Sequence, residues 1–366
     1  MDNSPQADDT APATVPRGII VLVGIAGIVV AVAGMKLIAG LIAPVFLALM
    51  LTIAVHPMGR WLRRHGCPAW LAALTLVIGV YGILVILFGS IIYSAARLTT
   101  LMPQYADKFD SIVDDLKHFL GEHGVNSESI HNMLSNVDAG KIISAAGSLL
   151  SGLVSTTSGL VLVLVVALFM AVDAVGFSDR LTALDRLRPN VSVALNNFAA
   201  GTRTYLVVST VFGLIVAVLD AGALWALGIP LPLLWGLLSF ITNYIPNIGF
   251  VLGVIPPAIL GLLDGGWSKM LIVIVVYSAI NVVIQSIIQP KFVGDAVGLS
   301  TTLTFLSLVV WTWILGPLGA ILAVPLTIFV KCLLIDIDPS TRWVNLLIAD
   351  SVRPDASAGP ERHDDV

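Results

Sequence analysis

From Ala221 to Leu263 the chain reads AGALWALGIPLPLLWGLLSFITNYIPNIGFVLGVIPPAILGLL, and no charged residue interrupts it between Asp220 and Asp264. A helix crossing about 30 Å of hydrocarbon needs about 20 apolar residues, so this interval is too long for one span. Pro230, Pro232, Pro246, Pro256 and Pro257 also divide it. Backbone that leaves the helix at membrane depth must be buried in protein or line a watery cavity, because lipid cannot satisfy its N–H and C=O groups. Leu231 to Leu263 is therefore the candidate re-entrant hairpin of an integral membrane protein.

Working outward, the same ruler places spans at Gly18–Met35, Leu37–Val55, Ala69–Ala96, Gly147–Val172, Tyr205–Leu227 and Met270–Gln289. Gly18–Met35 follows acidic residues, lacks an A-x-A exit and is succeeded by further spans, so it reads as a retained helix and not as a signal peptide. A second uncharged stretch, Ala296 to Val330, is broken at Gly316 and Pro317 into two arms, which are two short spans or a second hairpin. The expected fold is all-α: a polytopic integral membrane protein of about eight transmembrane helices, or six if the last stretch is a hairpin.

Composition agrees, with 57% hydrophobic and 11% charged residues and a mean hydropathy of +0.96. A soluble domain carries about 25% charge. A net charge of −4 offers no basic stripe for a phosphate backbone, so nucleic acid is not an expected partner. Cys67 and Cys332 are isolated and form no disulfide framework or CxxC motif.

Basic residues cluster at Arg60, Arg63 and Arg64, and again at Arg180, Arg186, Arg188 and Arg203. The positive-inside rule makes both loops cytoplasmic. Span counting then puts the N-terminus inside, Leu98 to Ala146 outside, and the C-terminus, with Arg342, Arg353 and Arg362, inside. The chain divides into a polar tail (1–16), a transmembrane domain (17–336) and a C-terminal tail (337–366). Within the domain lie an extracytoplasmic helical segment (97–146) and a cytoplasmic loop (173–204). Phe109, Ile112, Val113, Leu116, Phe119 and Leu120 recur at helical spacing in the outer segment, opposite several acids, which predicts an amphipathic helix that packs on its own spans or meets a partner.

Chemistry is sparse. HExxH, GxSxG, Walker and Rossmann fingerprints are absent, and the six histidines make no metal set, so no catalytic residue, metal or cofactor is expected. Asp220 is the one acid inside an apolar span. Such a group is costly unless it pairs, protonates or faces water, which points to an ion or proton relay, or to an acid near the interface packed against a donor. Tyr277, Asn281, Gln285 and Gln289 recur every four residues along one stripe. Amides select polar solutes, and they also join membrane helices at about 0.6 to 2 kcal/mol per bond. At the break, Asn243, Pro246, Asn247 and Gly249 combine amides with a helix interruption, which suits a solute pathway or a tight helix crossing. Pro290 and Lys291, after Gln289, complete the candidate pathway residues.

Two stretches carry a family resemblance: IPNIGFVLGVIPP at Ile245–Pro257, and QPKFVGDAVGLS followed by GPLGAILAVPL within Gln289–Pro325. Together with the order of spans, these resemble the autoinducer-2 exporter family of bacterial and archaeal membrane proteins. The resemblance implies a helical, homo-oligomeric transporter in a prokaryotic cell membrane. It implies export of a small polar signalling solute such as autoinducer-2 or, in some members, exchange of sodium or lithium for protons. Gln289, Pro290 and Lys291 would form the inner mouth, and Asp220 would be the titrating carboxylate of an antiporter. A non-transporting scaffold, whose breaks are packing devices, is the reading from a different class.

Overall fold

The computed structural model describes residues 16–101, 108, 111, 157–246, 248–289 and 299–348, and every regular element among them is helical. In chain order these are α1 (Arg17–Leu37), α2 (Ala39–Arg64), α3 (Ala69–Leu101), α4 (Thr157–Leu187), α5 (Pro189–Ala226), α6 (Pro232–Thr242) and α7 (Gly249–Asn281), which continues as a π-helix (Val282–Ile288). Then follow α8 (Thr301–Leu315), α9 (Pro317–Ile321), α10 (Ala323–Lys331) with a π-helical end (Cys332–Asp336), a 3-10 turn (Pro339–Val344) and α11 (Asn345–Ile348). Proline opens α5, α6 and α9, where its missing N–H is one the helix would not use. The outer helical segment expected at 97–146 lies almost wholly outside the described residues.

Among the described residues three helices are long and apolar enough, by length and composition, to cross a membrane: Ala39–Gly59, Pro189–Ala226 and Gly249–Ile288, the last of which is folded at Gly265 and Gly266. A fourth is added if Val161–Ala174 and Asp179–Leu187, bent by 69°, count as one span. Lipid is also the natural neighbour of α1, where Val21, Leu22, Val23, Ile25, Ile28, Val29 and Val30 are all more than half exposed. Residues 173–204 are helical, apart from the junction at Arg188, because α4 and α5 extend to meet there.

Two of the cores among the described residues tie α2 to the rest of the bundle. In one, α2, α3 and α4 meet through Ala48, Val80, Leu84, Val163 and Ala167, and the Tyr81 hydroxyl donates to the Leu164 carbonyl at 2.9 Å. In the other, α2, the N-terminal half of α5 and the α8–α10 group meet around Phe329, whose ring lies 5.6 Å from that of Phe46 and 5.3 Å from that of Phe198.

The long uncharged stretch folds into helix, break and helix. After α5 the chain turns at Gly228 (φ 68°) and Leu231 (φ 58°). Helix α6 then runs back along α5 so closely that a Cβ on Gly236 would sit 2.7 Å from the Ala217 carbonyl oxygen. Beyond the break at 243–248, α7 returns beside α6, with Gly249 against the Thr242 carbonyl and Gly253 over the hydroxyls of Thr242 and Ser239. Helix α7 is itself folded, for Gly265 and Gly266 leave helical angles. A Cβ on Gly261 would lie 3.3 Å from the Met270 Cα, although a continuous helix separates such positions by about 13 Å.

Residues 249–264 and 267–281 are thus two arms, and an Asp264–Lys269 ion pair ties their turn. The break at 243–248 therefore stands between α6, about 16 Å long, and the 249–264 arm, about 24 Å long, each shorter than the roughly 30 Å of hydrocarbon. Near the C-terminal end, Gly316 (φ 72°) separates α8 from α9. The chain folds back there, because Trp311 Nε1 donates to Thr327 Oγ1 at 3.0 Å across sixteen residues.

Candidate functional site

The break at 243–248 is held by a polar network. Asn243 Nδ2 donates to the Ser209 carbonyl at 3.0 Å, and its Oδ1 accepts from Gln285 Nε2 at 2.7 Å. Gly213 makes this seat, since a Cβ there would come within 2.9 Å of Asn243 Nδ2. The Tyr205 hydroxyl donates to the Tyr244 carbonyl at 2.7 Å, and the Tyr244 hydroxyl meets Thr210 Oγ1 at 2.6 Å. Three elements, α5, the break and the π-helix, are joined by uncharged groups alone. Such a surface can bind a neutral polar solute by hydrogen bonds without the cost of burying a charge.

A second polar group lies farther along α5. Asp220 is 0% exposed and both its carboxylate oxygens lack a hydrogen-bond partner. Ser239 of α6 and Tyr277 of α7 are neighbours of this carboxylate, with Ser239 close to both Asp220 and Tyr277, although none of these buried oxygens completes a hydrogen bond of ordinary geometry. The three side chains come from three helices and share a core with Leu224, Trp235, Val254 and Val273. Asn281 stands between the two groups: its Nδ2 donates to the Tyr277 carbonyl at 3.3 Å, and its buried Oδ1 has no partner. Ser239 and Asn243, four residues apart, connect the groups along one face of α6 and its cap.

The structure therefore brings together Asn243, Gly249, Asn281 and Gln285, with Pro246 half-buried at the break and Asp220 about 16 Å along α5 from Ser209. Gln289 is half-buried at the end of the π-helix. Asn247, Pro290 and Lys291 lie outside the described residues. Sequence reasoning missed Tyr205, Ser209, Thr210 and Gly213, and it did not tie Ser239 to Asp220. The spacing of small and hydroxylated residues on α5 was the available signal, and it does not say what they face. No group of three or more His, Cys, Asp or Glu capable of holding a metal occurs among the described residues.

Comparison with known proteins adds an independent line. A family model described as AI-2E family transporter matches residues 21–337. The AI-2 transport protein TqsA of Escherichia coli (strain K12) is 30% identical over 315 residues, which cover 86% of this chain and 91% of that one. From the same organism, "Putative transport protein YhhT" is 30% identical over 327 residues, 88% of this chain and 90% of that one. A similarly named protein of Haemophilus influenzae is 30% identical over 335 residues, covering 90% and 96%.

Proposed function

The chain belongs to the AI-2E transporter family, and from that membership we propose that it carries a small polar solute outward across a prokaryotic cell membrane. The route runs past Asn243, Asn281 and Gln285, and Gln289, Pro290 and Lys291 form its inner mouth. Eight spans with a re-entrant hairpin over 231–263, both termini cytoplasmic, and assembly of several copies complete this reading.

The observation that carries it is the hydrogen bond between two uncharged amides, Asn243 and Gln285, at a helix break inside an apolar chain. A solute with a hydroxyl group can replace either partner of that bond. The AI-2 transport protein among the relatives makes autoinducer-2 the first solute to try. Proteoliposomes loaded with autoinducer-2 test the proposal: wild-type protein should release it faster than empty vesicles, and Gln285→Ala should slow release at least tenfold. Equal release by wild type and empty vesicles rejects autoinducer-2 as the solute.

One observation favours a second reading. A wholly buried carboxylate with two unpartnered hydroxyls beside it, Asp220 with Ser239 and Tyr277, suits exchange of sodium or lithium for protons. Internal pH recorded on addition of either cation separates the two readings. Proton flux abolished by Asp220→Asn supports exchange, whereas autoinducer-2 flux indifferent to that substitution demotes Asp220 to packing.

A further inference from the structure

The Asn243–Gln285 contact has two sides, and they are held very differently. On the side of the break, three hydrogen bonds pin residues 243 and 244 to α5: Asn243 to the Ser209 carbonyl, Tyr205 to the Tyr244 carbonyl, and Tyr244 with Thr210. Thr210 Oγ1 also donates to the Leu206 carbonyl at 2.6 Å, so Tyr244 must be the donor in its bond to Thr210. Gly213 of α5 lets the Asn243 side chain lie close against that helix, and Gly249 lets α7 approach the Thr242 carbonyl.

The other side meets α5 through apolar packing, with Ile284 and Ile288 in one cluster with Phe212 and Val216. Gln285 lies in a π-helix, whose wide turns make poorer hydrogen bonds and often mark functional positions. Only Ile284 is buried within Val282–Ile288, while Val282, Val283 and Ile287 are about half exposed. Pro290, just beyond, has no N–H to extend the helix.

We infer that Tyr205 and Thr210 are positioning residues that hold the 243–244 tip still against α5, so that the Asn243–Gln285 contact opens by movement of the 282–288 π-helix. Calling that contact a gate rests on the transporter reading. The division into a fixed and a moving side does not.

Hydrogen–deuterium exchange on the full-length protein in lipid nanodiscs tests the division without any solute. In the wild type, amides of 282–289 should exchange faster than those of 239–245. Tyr205→Phe and Thr210→Val should each speed exchange at 239–245 about fivefold, the equivalent of one net hydrogen bond, and leave 282–289 unchanged. Thr210→Ser keeps the hydroxyl and should match the wild type. Exchange at the tip as fast as at the π-helix in the wild type overturns the inference, as does a Thr210→Ser profile equal to that of Thr210→Val.

A cross-linking arm addresses the gate. With Cys67→Ser and Cys332→Ala as background, Asn243→Cys/Gln285→Cys lacks both amides and starts from a lowered autoinducer-2 release; a thiol cross-link there should stop what remains, and reductant should restore it to that variant's own uncross-linked rate. One in Thr210→Cys/Tyr244→Cys should leave release at its uncross-linked rate, and a block there overturns the inference. If the wild type moves no autoinducer-2 while the exchange pattern holds, the autoinducer-2 reading fails and the positioning role stands.

Discussion

Two helix pairs in this molecule share a plan and differ in what closes their tips. Residues 232–264 turn through a break filled with amides and hydroxyls, where Asn243 and Tyr244 bond to α5 and to the π-helix. Residues 301–331 turn at Gly316, and Leu315, Ala320 and Leu322 around that turn are buried in an apolar core. Ile245 and Ile248 of the first break pack against this same core, so the two pairs lean on common ground. The lesson is that interrupting a helix is not what makes a site. The first break gathers half-buried amides and hydroxyls, and the second buries aliphatic side chains.

The most drastic way to probe this plan is through the glycines that let each pair close. A Cβ on Gly249 would run into the Thr242 carbonyl, and one on Gly319 into the Trp311 carbonyl. Gly249→Ala and Gly319→Ala should each cost about 3 kcal/mol or more, because backbone has to move, and thermal unfolding in detergent should report both. Unchanged unfolding in either variant breaks the claim that a glycine lets that pair close.

Removing polar groups should then separate the pairs by function. Gln285→Leu leaves Asn243 Oδ1 without its donor, at a cost of about 1 to 3 kcal/mol. Solute release per folded molecule should fall at least tenfold. Trp311→Phe removes a single bond to Thr327 in the second pair and should cost about 1 kcal/mol, with release unaffected. Equal losses of release in the two variants would erase the distinction drawn above.

Charge offers a finer contrast. Asp220 has no partner, so Asp220→Asn, which keeps the volume, should leave unfolding unchanged or raise its midpoint. Asp336, at the end of the π-helix that follows the second pair, accepts from Lys331 at 3.1 Å and from Asn345 at 3.1 Å, so Asp336→Asn should destabilise by roughly 1 kcal/mol. The smallest effect belongs to the turn beyond it. The Ser340 backbone N–H donates to Asp338 at 2.9 Å, and this bond, followed by the Ser340 hydroxyl, holds the carboxyl below its ordinary range. A carboxyl depressed in the folded state stabilises above its unfolded value, so that contribution should be present at neutral pH and fade in acid as the folded group protonates. Chemical-shift titration of Asp338 and its Ser340→Ala counterpart would detect it.

Much of the described architecture is legible in the chain itself. Pro246, and Gly316 with Pro317, mark the two breaks, and the gap between Leu263 and Met270 marks the fold-back that Gly265 and Gly266 make. Of Tyr277, Asn281, Gln285 and Gln289, which recur every four residues, Tyr277 and Asn281 are buried and Gln285 and Gln289 half-buried. Residues 173–204 were harder to read, since their charges suggest a loop, while α4 and α5 extend into them with a bend between Ala174 and Asp179 and a junction at Arg188. The latch on the break was invisible: Tyr205 and Tyr244 are 39 residues apart, Ser209 and Asn243 34 apart, and no local pattern links them.

What the amino-acid order determined by itself is the solvent this protein needs and where its helices must stop. Hydropathy and the backbone limits of proline and glycine are local properties, readable one residue at a time. Only the tertiary structure decided which polar groups meet. That choice depends on how closely α5, α6 and α7 approach, which Gly213, Gly236 and Gly249 set through contacts with residues brought in from elsewhere in the chain.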